Sequence, residues 1–540
     1  VKARFSLILP LLVLPLTLPG CSGRDAGGPT TNGAMLRIGN GAEPQDLDPH
    51  TTTGVPEHRI ASALFEGLVS LDPGDLHPVP AAAESWTMSE DGLVYTFTLR
   101  ADAAWSNGDP VTAQDFVYAW QRILTPGLAS EYAYMLHCLK SAKAFNEGAI
   151  KDFTQVGAKA LDNRTLEVIL ENPAPYFLAM QIHNAWYPVH RPTIERFGRM
   201  DERGTEWTRA GNHVGNGPFM LERWAPSEVI TVVKNPHYWG APSVRLAGIH
   251  FYPIENLQTE ERSFRTGKLH VTESVPLSKI EVYRRNRPEV LHIDPYLGTY
   301  YYRFNVTRPP LDDVRVRRAF AMTIDRERLV KNVLKGGQQP AGQFTPPNTA
   351  GYTCAAGIEY NVPEARKLLA EAGYPNGEGL PQAELLYNTS ENHKLIAEAV
   401  QQMWKVNLNV DVALVNQDWK VYLDSMNNLD YQIARSGWIG DYVDPNNFLE
   451  CFLTGGGNNR TGYASEEYDA LIAKANQMLD AEARFAILQE AERRLLEDCP
   501  LAPIYFYTRI YLKAPEVKGW QPNILGFIPF KQLYIEPAGT

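Results

Sequence analysis

The chain has 540 residues, 44% of them apolar and 21% charged, with a formal net charge of −11 from 51 Lys and Arg against 62 Asp and Glu. A single hydrophobic core stops growing near ~250–300 residues, so the length requires two or three domains, or one domain built from several chain passes. The ordinary composition excludes a disordered, fibrous or polytopic membrane chain, and the absence of a basic block speaks against a nucleic-acid partner.

The first twenty residues carry Lys2 and Arg4, an apolar run over 5–18, and small residues after it. This is the layout of a secretory signal peptide over 1–20, too short for a spanning helix of ~20 apolar residues. Leu18-Pro19-Gly20-Cys21 resembles the lipobox of bacterial lipoproteins, in which Cys21 would be acylated; Pro19 departs from the usual small residue. Residues 21–33 are rich in Gly, Ser and Thr and read as a flexible tether reaching roughly 20 Å. The expectation is an exported protein, held at the membrane only by an N-terminal lipid. Cys138, Cys354, Cys451 and Cys499 follow, with no CxxC and no Cys/His cluster at zinc spacing, so neither a metal nor a cofactor is expected. Their pairing is open at this point, free buried thiols included.

Further along, 36–41 reads as a strand and 56–69 as a helix with Ile60, Ala63, Leu64 and Leu68 on one face. Residues 93–100 alternate as a strand, and 115–124 form an amphipathic helix. Strands are expected at 164–170, 229–233, 383–388, 408–415 and 501–508. Helices are expected at 313–335, 363–372, 391–404, 465–479 and 481–497. This interleaving argues for an α/β chain with more than one sheet. The usual local enzyme motifs (G-x-S-x-G, H-E-x-x-H, Walker A, G-x-G-x-x-G) do not occur. The 26 Tyr and 11 Trp suit either a core or a ligand site with π faces and polar tips.

Several stretches together resemble the oligopeptide and dipeptide class of solute-binding proteins that serve bacterial ABC importers. They include E-P-Q-D-L-D-P-H (43–50), L-F-E-G-L (64–68), the run 95–122, N-G-P-F (216–219) and N-P-H-Y-W (235–239). P-Y-L-G-T-Y-Y-Y (295–302), L-L-Y-N-T-S (385–390) and G-W-I-G-D-Y-V-D-P (437–445) continue the series. The resemblance implies a two-lobed periplasmic-binding-protein (flytrap) fold with an extra third domain. Lobe I would combine 34–69, 196–297 and 509–540, lobe II would be 298–508, and 70–195 would pack beside lobe I.

The resemblance also implies a site. A receptor that tolerates many peptides must bind what they share: an ammonium, a backbone and a carboxylate. Asp441 matches the aspartate that pairs with the ligand's amine; without the match it is a loop aspartate, as Asp444 is. Gly437, Trp438 and Ile439 on one lobe, and Val55, Glu57 and His58 on the other, would meet the peptide backbone. Arg435 and His393 would receive its carboxylate. Tyr118, Trp419, Tyr296 and Tyr301 would line side-chain pockets. Where close relatives have a disulfide between two of these segments, this chain has Gly298 and Ile439, and Cys354–Cys451 becomes the pair to expect. Arg303 and Leu334 replace a carboxylate and a lysine near the ligand of a relative. The function implied is an extracytoplasmic monomeric receptor, not an enzyme, that encloses short peptides and hands them to an ABC transporter permease. The alternatives are a specialised ligand on the same scaffold (a murein peptide, glutathione or another small solute), a secreted peptidase, or a chaperone.

Overall fold

The computed structural model describes residues 33–478 and 480–536. Residues 1–32, including Cys21 and the expected signal peptide and most of the tether, lie outside the described residues. Among those described, no helix is long and apolar enough to cross a membrane.

Three main sheets organise the chain. The first runs Met35–Gly39, Gly248–Tyr252, Val229–Lys234, Phe219–Ala225, its first pair parallel and the others antiparallel. Val229–Lys234 (VITVVK) is largely β-branched and buries its middle three residues, as suits a strand inside a sheet. The second has six strands in the order Gln339–Pro340, Leu501–Leu512, Leu291–Phe304, Ile433–Ile439, Ala383–Asn388, Val412–Gln417. The third comprises Ala83–Met88, Val94–Leu99, Thr165–Ile169 and Ala158–Ala160. The amphipathic helix Ala113–Leu124 belongs with the third sheet, and a reciprocal Thr112/Asp115 capping box satisfies its first turn.

Two long strands tie the first sheet to the second. Leu291–Phe304 and Leu501–Leu512 pair antiparallel, with a register shift between Pro295 and Thr299. Pro295, which cannot donate to a ladder, sits where that shift begins. At the outer end of the ribbon, Lys513 bridges Val271, and Val271 bridges Ile38 of the first sheet. The chain thus passes between the two lobes as paired strands.

Several of the quoted motifs hold one another. Arg122 forms a two-pronged ion pair with Asp48 at 2.6 and 2.9 Å, both side chains buried, joining the third sheet's helix to 43–50. Glu66 of L-F-E-G-L accepts from Tyr238 (2.5 Å), Trp239 (2.6 Å) and Lys531 (2.9 Å). These motifs are structural: each buried charge has a counter-charge or donors, without which its burial would be costly.

The expected helix over 313–335 is broken. Val314–Met322 ends at Thr323, Asp325 caps a new start at Arg326–Leu329, and a π-helical turn, Val330–Leu334, closes on left-handed Lys335. The helix expected over 56–69 stops at Leu64, because Phe65 turns extended. The expected Cys354–Cys451 disulfide is absent, and all four described cysteines are free thiols. Cys354 sits beside Tyr352 and Glu492, whereas Cys451 donates to the Asn447 carbonyl at 3.3 Å, so each sulfur has its own surroundings. Gly298 lies directly opposite Ile439, whose Cδ1 fills the space that a Cβ at 298 would need, 2.6 Å away. Packing stands there in place of a covalent clasp.

Candidate functional site

A cavity of about 430 Å³ lies between the lobes. That is the range of a small-ligand pocket. Its floor is the strand Ile433–Ile439. This strand pairs with Leu291–Phe304 from Ile433 to Ile439, but with Ala383–Asn388 only at Ile433 and Ala434. Ser436 to Ile439 therefore keep one edge without a strand partner among the described residues, and that stretch lines the cavity. Arg435, Gly437 and Ile439 alternate with the more buried Ala434, Ser436 and Trp438. A Cβ on Gly437 would fall 2.5 Å from the Tyr507 hydroxyl, so glycine is what lets Arg435 and Tyr507 meet.

Asp441 follows the strand and is 14% exposed. Its backbone N–H donates to Asn447 Oδ1 at 2.9 Å, and Asn447 Nδ2 donates to its carboxylate at 3.3 Å. Trp438 Nε1 donates to the same Asn447 oxygen at 3.1 Å, so Asn447 positions both side chains. The other carboxylate oxygen lies 3.6 Å from His183 Nε2. His183 supplies no charge, because burial, then the neighbouring His58, hold it well below the ordinary histidine range. Burial raises Asp441 from 3.8 to about 7, only partly opposed by Asn447. A carboxylate in this state favours a cation that enters the cavity.

Arg435 lies six residues before Asp441. Its guanidinium donates to Tyr507 at 2.7 Å and Asn388 at 3.2 Å and stacks 4.8 Å from the Tyr300 ring. His393, in the first turn of the helix Glu391–Leu408, is 5.6 Å from the same ring. Burial, then the Arg435 charge, keep His393 neutral. Across the cleft, the helix Val55–Leu64 starts at Gly54, with Pro56 in its first turn, where a missing N–H costs nothing. A Cβ on Gly54 would come 2.9 Å from Trp419, so glycine allows that ring to close against the opposite lobe.

Of the expected site residues, Val55, His58, Tyr296, His393, Trp419, Arg435, Gly437, Trp438, Ile439 and Asp441 line the cavity. Three do not. Tyr118 is 2% exposed in the core of the 70–195 segment, with Arg191 over its ring. Tyr301 faces away from the Arg435 side of its strand and accepts from Arg303. Glu57 is buried behind the wall, where it accepts from Gln45 N–H at 2.7 Å and Trp419 Nε1 at 3.3 Å; it braces the wall. Asp444 is committed elsewhere, to Arg484 at 2.7 and 2.9 Å. Arg303 and Leu334 both line the cavity, as do three residues outside the quoted motifs: Tyr132, His183 and Arg460.

Lobes joined by a strand ribbon around a cleft to which both contribute define a two-lobed solute-binding protein. The relatives agree. The model for bacterial extracellular solute-binding proteins, family 5, middle region, matches residues 77–460, and the chain belongs to that family. It is 40% identical over 490 residues to the periplasmic oligopeptide-binding protein OppA of Escherichia coli K12, covering 89% of this chain and 88% of that protein. The Escherichia coli murein tripeptide-binding protein MppA superposes with a TM-score of 0.89 at 38% identity, covering 93% of this chain and 98% of that one. Haemophilus influenzae OppA in complex with the peptide RPPGFSPFR superposes at 0.87 with 36% identity, over 93% and 99% of the two chains. The unliganded open form of MppA superposes at only 0.62 at 37% identity, over 93% and 97%. The same relative therefore fits well or poorly according to its form, and the lobes here are not arranged as in that open form.

Proposed function

We propose that this protein is an extracytoplasmic receptor that encloses short peptides between its lobes and delivers them to an ABC transporter permease. One observation carries the reading. An extended strand with a free edge lines the cleft, with a desolvated carboxylate at one end and a guanidinium at the other. A peptide backbone can add to such an edge as one more strand. From Arg435 to Ile439 the strand covers ~13 Å at ~3.3 Å per residue, the length of about four extended residues.

In this reading Asp441 takes the peptide's ammonium, Arg435 and His393 its carboxylate, and Gly437–Ile439 its backbone. Val55 and His58 close over it from the other lobe. Trp419, Trp438 and Tyr296 offer walls to its side chains. The protein works as a monomer, by binding and without chemistry, and Cys21 anchors it outside the membrane. The names of the relatives, two of them oligopeptide-binding and one murein-tripeptide-binding, support a peptide ligand.

The test is mass spectrometry of small molecules released from the purified protein, with calorimetry of a tri- to pentapeptide pool. Discrete short peptides, returned with unchanged termini, are expected. A non-peptide ligand, or newly cut termini, would overturn the reading.

A further inference from the structure

The cavity carries a charge opposite to that of the chain. Five arginines line it (Arg59, Arg303, Arg435, Arg460 and Arg509) against three carboxylates, Glu255, Glu273 and Asp441. That is a surplus of two positive charges inside a protein of net charge −11. Arg59 is paired with Glu273, and Arg435 is the expected carboxylate partner. Arg303 and Arg460 have no part in the peptide reading so far.

Both are built into the wall. Arg303 is 4% exposed; two of its nitrogens donate to the Tyr301 hydroxyl at 3.1 and 2.8 Å, and Nη1 is buried with no partner. Arg460 donates to Thr53 across the cleft at 3.3 Å, and its Nε is buried with no partner. Among the described residues neither guanidinium has a carboxylate within 4.0 Å. Glu131, an acid whose field reaches Arg460, is held by Arg203 at 2.6 Å. The two guanidiniums also feel each other: burial, then the Arg303 charge, lower the pKa of Arg460. Arg303 lies opposite Ala434 in the sheet, on the face of the strand away from Arg435. Two like charges with unspent donors in a dry wall are costly unless an anion joins them.

A zwitterionic peptide brings no net charge, so its termini leave the surplus in place. We propose that Arg303 and Arg460 form a second anion subsite, which selects peptides carrying a carboxylate side chain. The inference rests on the peptide reading above.

Its test is titration calorimetry of the full chain at pH 7.5 with eight tetrapeptides: tetra-alanine carrying Glu at each of its four positions in turn, and the four with Gln in place of Glu. At least one Glu peptide should bind tenfold or more tighter than its Gln counterpart, and Arg303→Gln and Arg460→Gln should each shrink that ratio. Equal affinities for Glu and Gln peptides at every position would overturn the subsite while leaving the peptide reading intact, and no variant is needed to see it. A preference that survives in both variants would equally overturn the assignment to these arginines. If none of the eight binds, the peptide reading fails and the subsite with it.

Discussion

Asp441→Asn is the sharpest perturbation of the proposed site. It keeps the side chain's shape and its contact with Asn447 but removes the charge. Among the described residues the carboxylate has no charged partner within 4.0 Å, since His183 is neutral, and burial has brought it to about 7. A peptide ammonium would supply the missing partner in a site that salt screens weakly. Losing one member of a buried pair costs about 3–5 kcal/mol. At ~1.4 kcal/mol per decade, the affinity for a free-amine peptide should fall by about two to three orders of magnitude. The assay is calorimetry of one tetrapeptide and its N-acetylated form against both proteins, with Asp430→Asn, an exposed surface position, as the control. Acetylation should weaken wild-type binding as strongly as the mutation does, and the acetylated peptide should be nearly indifferent to Asp441→Asn. Equal wild-type affinities for the free and acetylated peptides would refute Asp441 as the amine partner.

The same group gives a pH dependence. Binding a cation favours the ionised carboxylate, so affinity is present above Asp441's free value of about 7 and is lost as pH falls through it. With a peptide amine near ~7.9, affinity should drop about sixfold between pH ~7.5 and ~6, whereas the acetylated peptide should show no such drop. Arg435→Gln should weaken peptide acids about tenfold to a hundredfold and leave peptide amides little changed, since a charged hydrogen bond contributes about 1.5–3 kcal/mol; calorimetry again decides. Asp444→Asn should act on stability, because it leaves the buried Arg484 unpaired: denaturant unfolding should report a loss of about 3–5 kcal/mol. Cys21→Ala should leave export intact but move the protein from the membrane fraction to the soluble one.

Elements with a clean local period were legible from sequence. The strand over 383–388 and the helix over 481–497 match Ala383–Asn388 and, within a residue, Ala481–Asp498. Where a period continues across a break it misleads. Val316, Phe320, Ile324 and Leu329 all enter one core, so nothing apolar marks the interruption at Thr323. Ile433–Ile439 did not read as a strand because Ser436-Gly437 interrupts its apolar run, yet that glycine is needed at the site.

In the candidate site, motif matching named Asp441 and Arg435, which line the cavity, but could not separate cavity-lining aromatics from packed ones. Tyr296, Tyr300 and Tyr301 lie on one strand, yet of the three only Tyr296 lines the cavity; Tyr300 packs under Arg435 and Tyr301 faces away, both fully buried. His183, Tyr132 and Arg460 come from loops remote in sequence, and no local signal marks them.

The placement of charge also bears on how closure would work. Arg303, Arg435, Asp441 and Arg460 all belong to the segment 298–508, whereas the opposite wall offers Thr53, Val55, the neutral His58 and His183, and two arginines, Arg59 and Arg509, balanced by Glu255 and Glu273. A charged ligand could thus meet its partners on one lobe while the cleft is open. The second wall then adds surface of no net charge and removes water, which strengthens the ion pairs already made. A ligand shifts closure only by the affinity it gains in the closed state. Here that gain comes from drying pairs formed on the first lobe it touches. Ligands lacking those charges would gain little from closure, so the specificity of the closed state would rest on four residues of a single lobe.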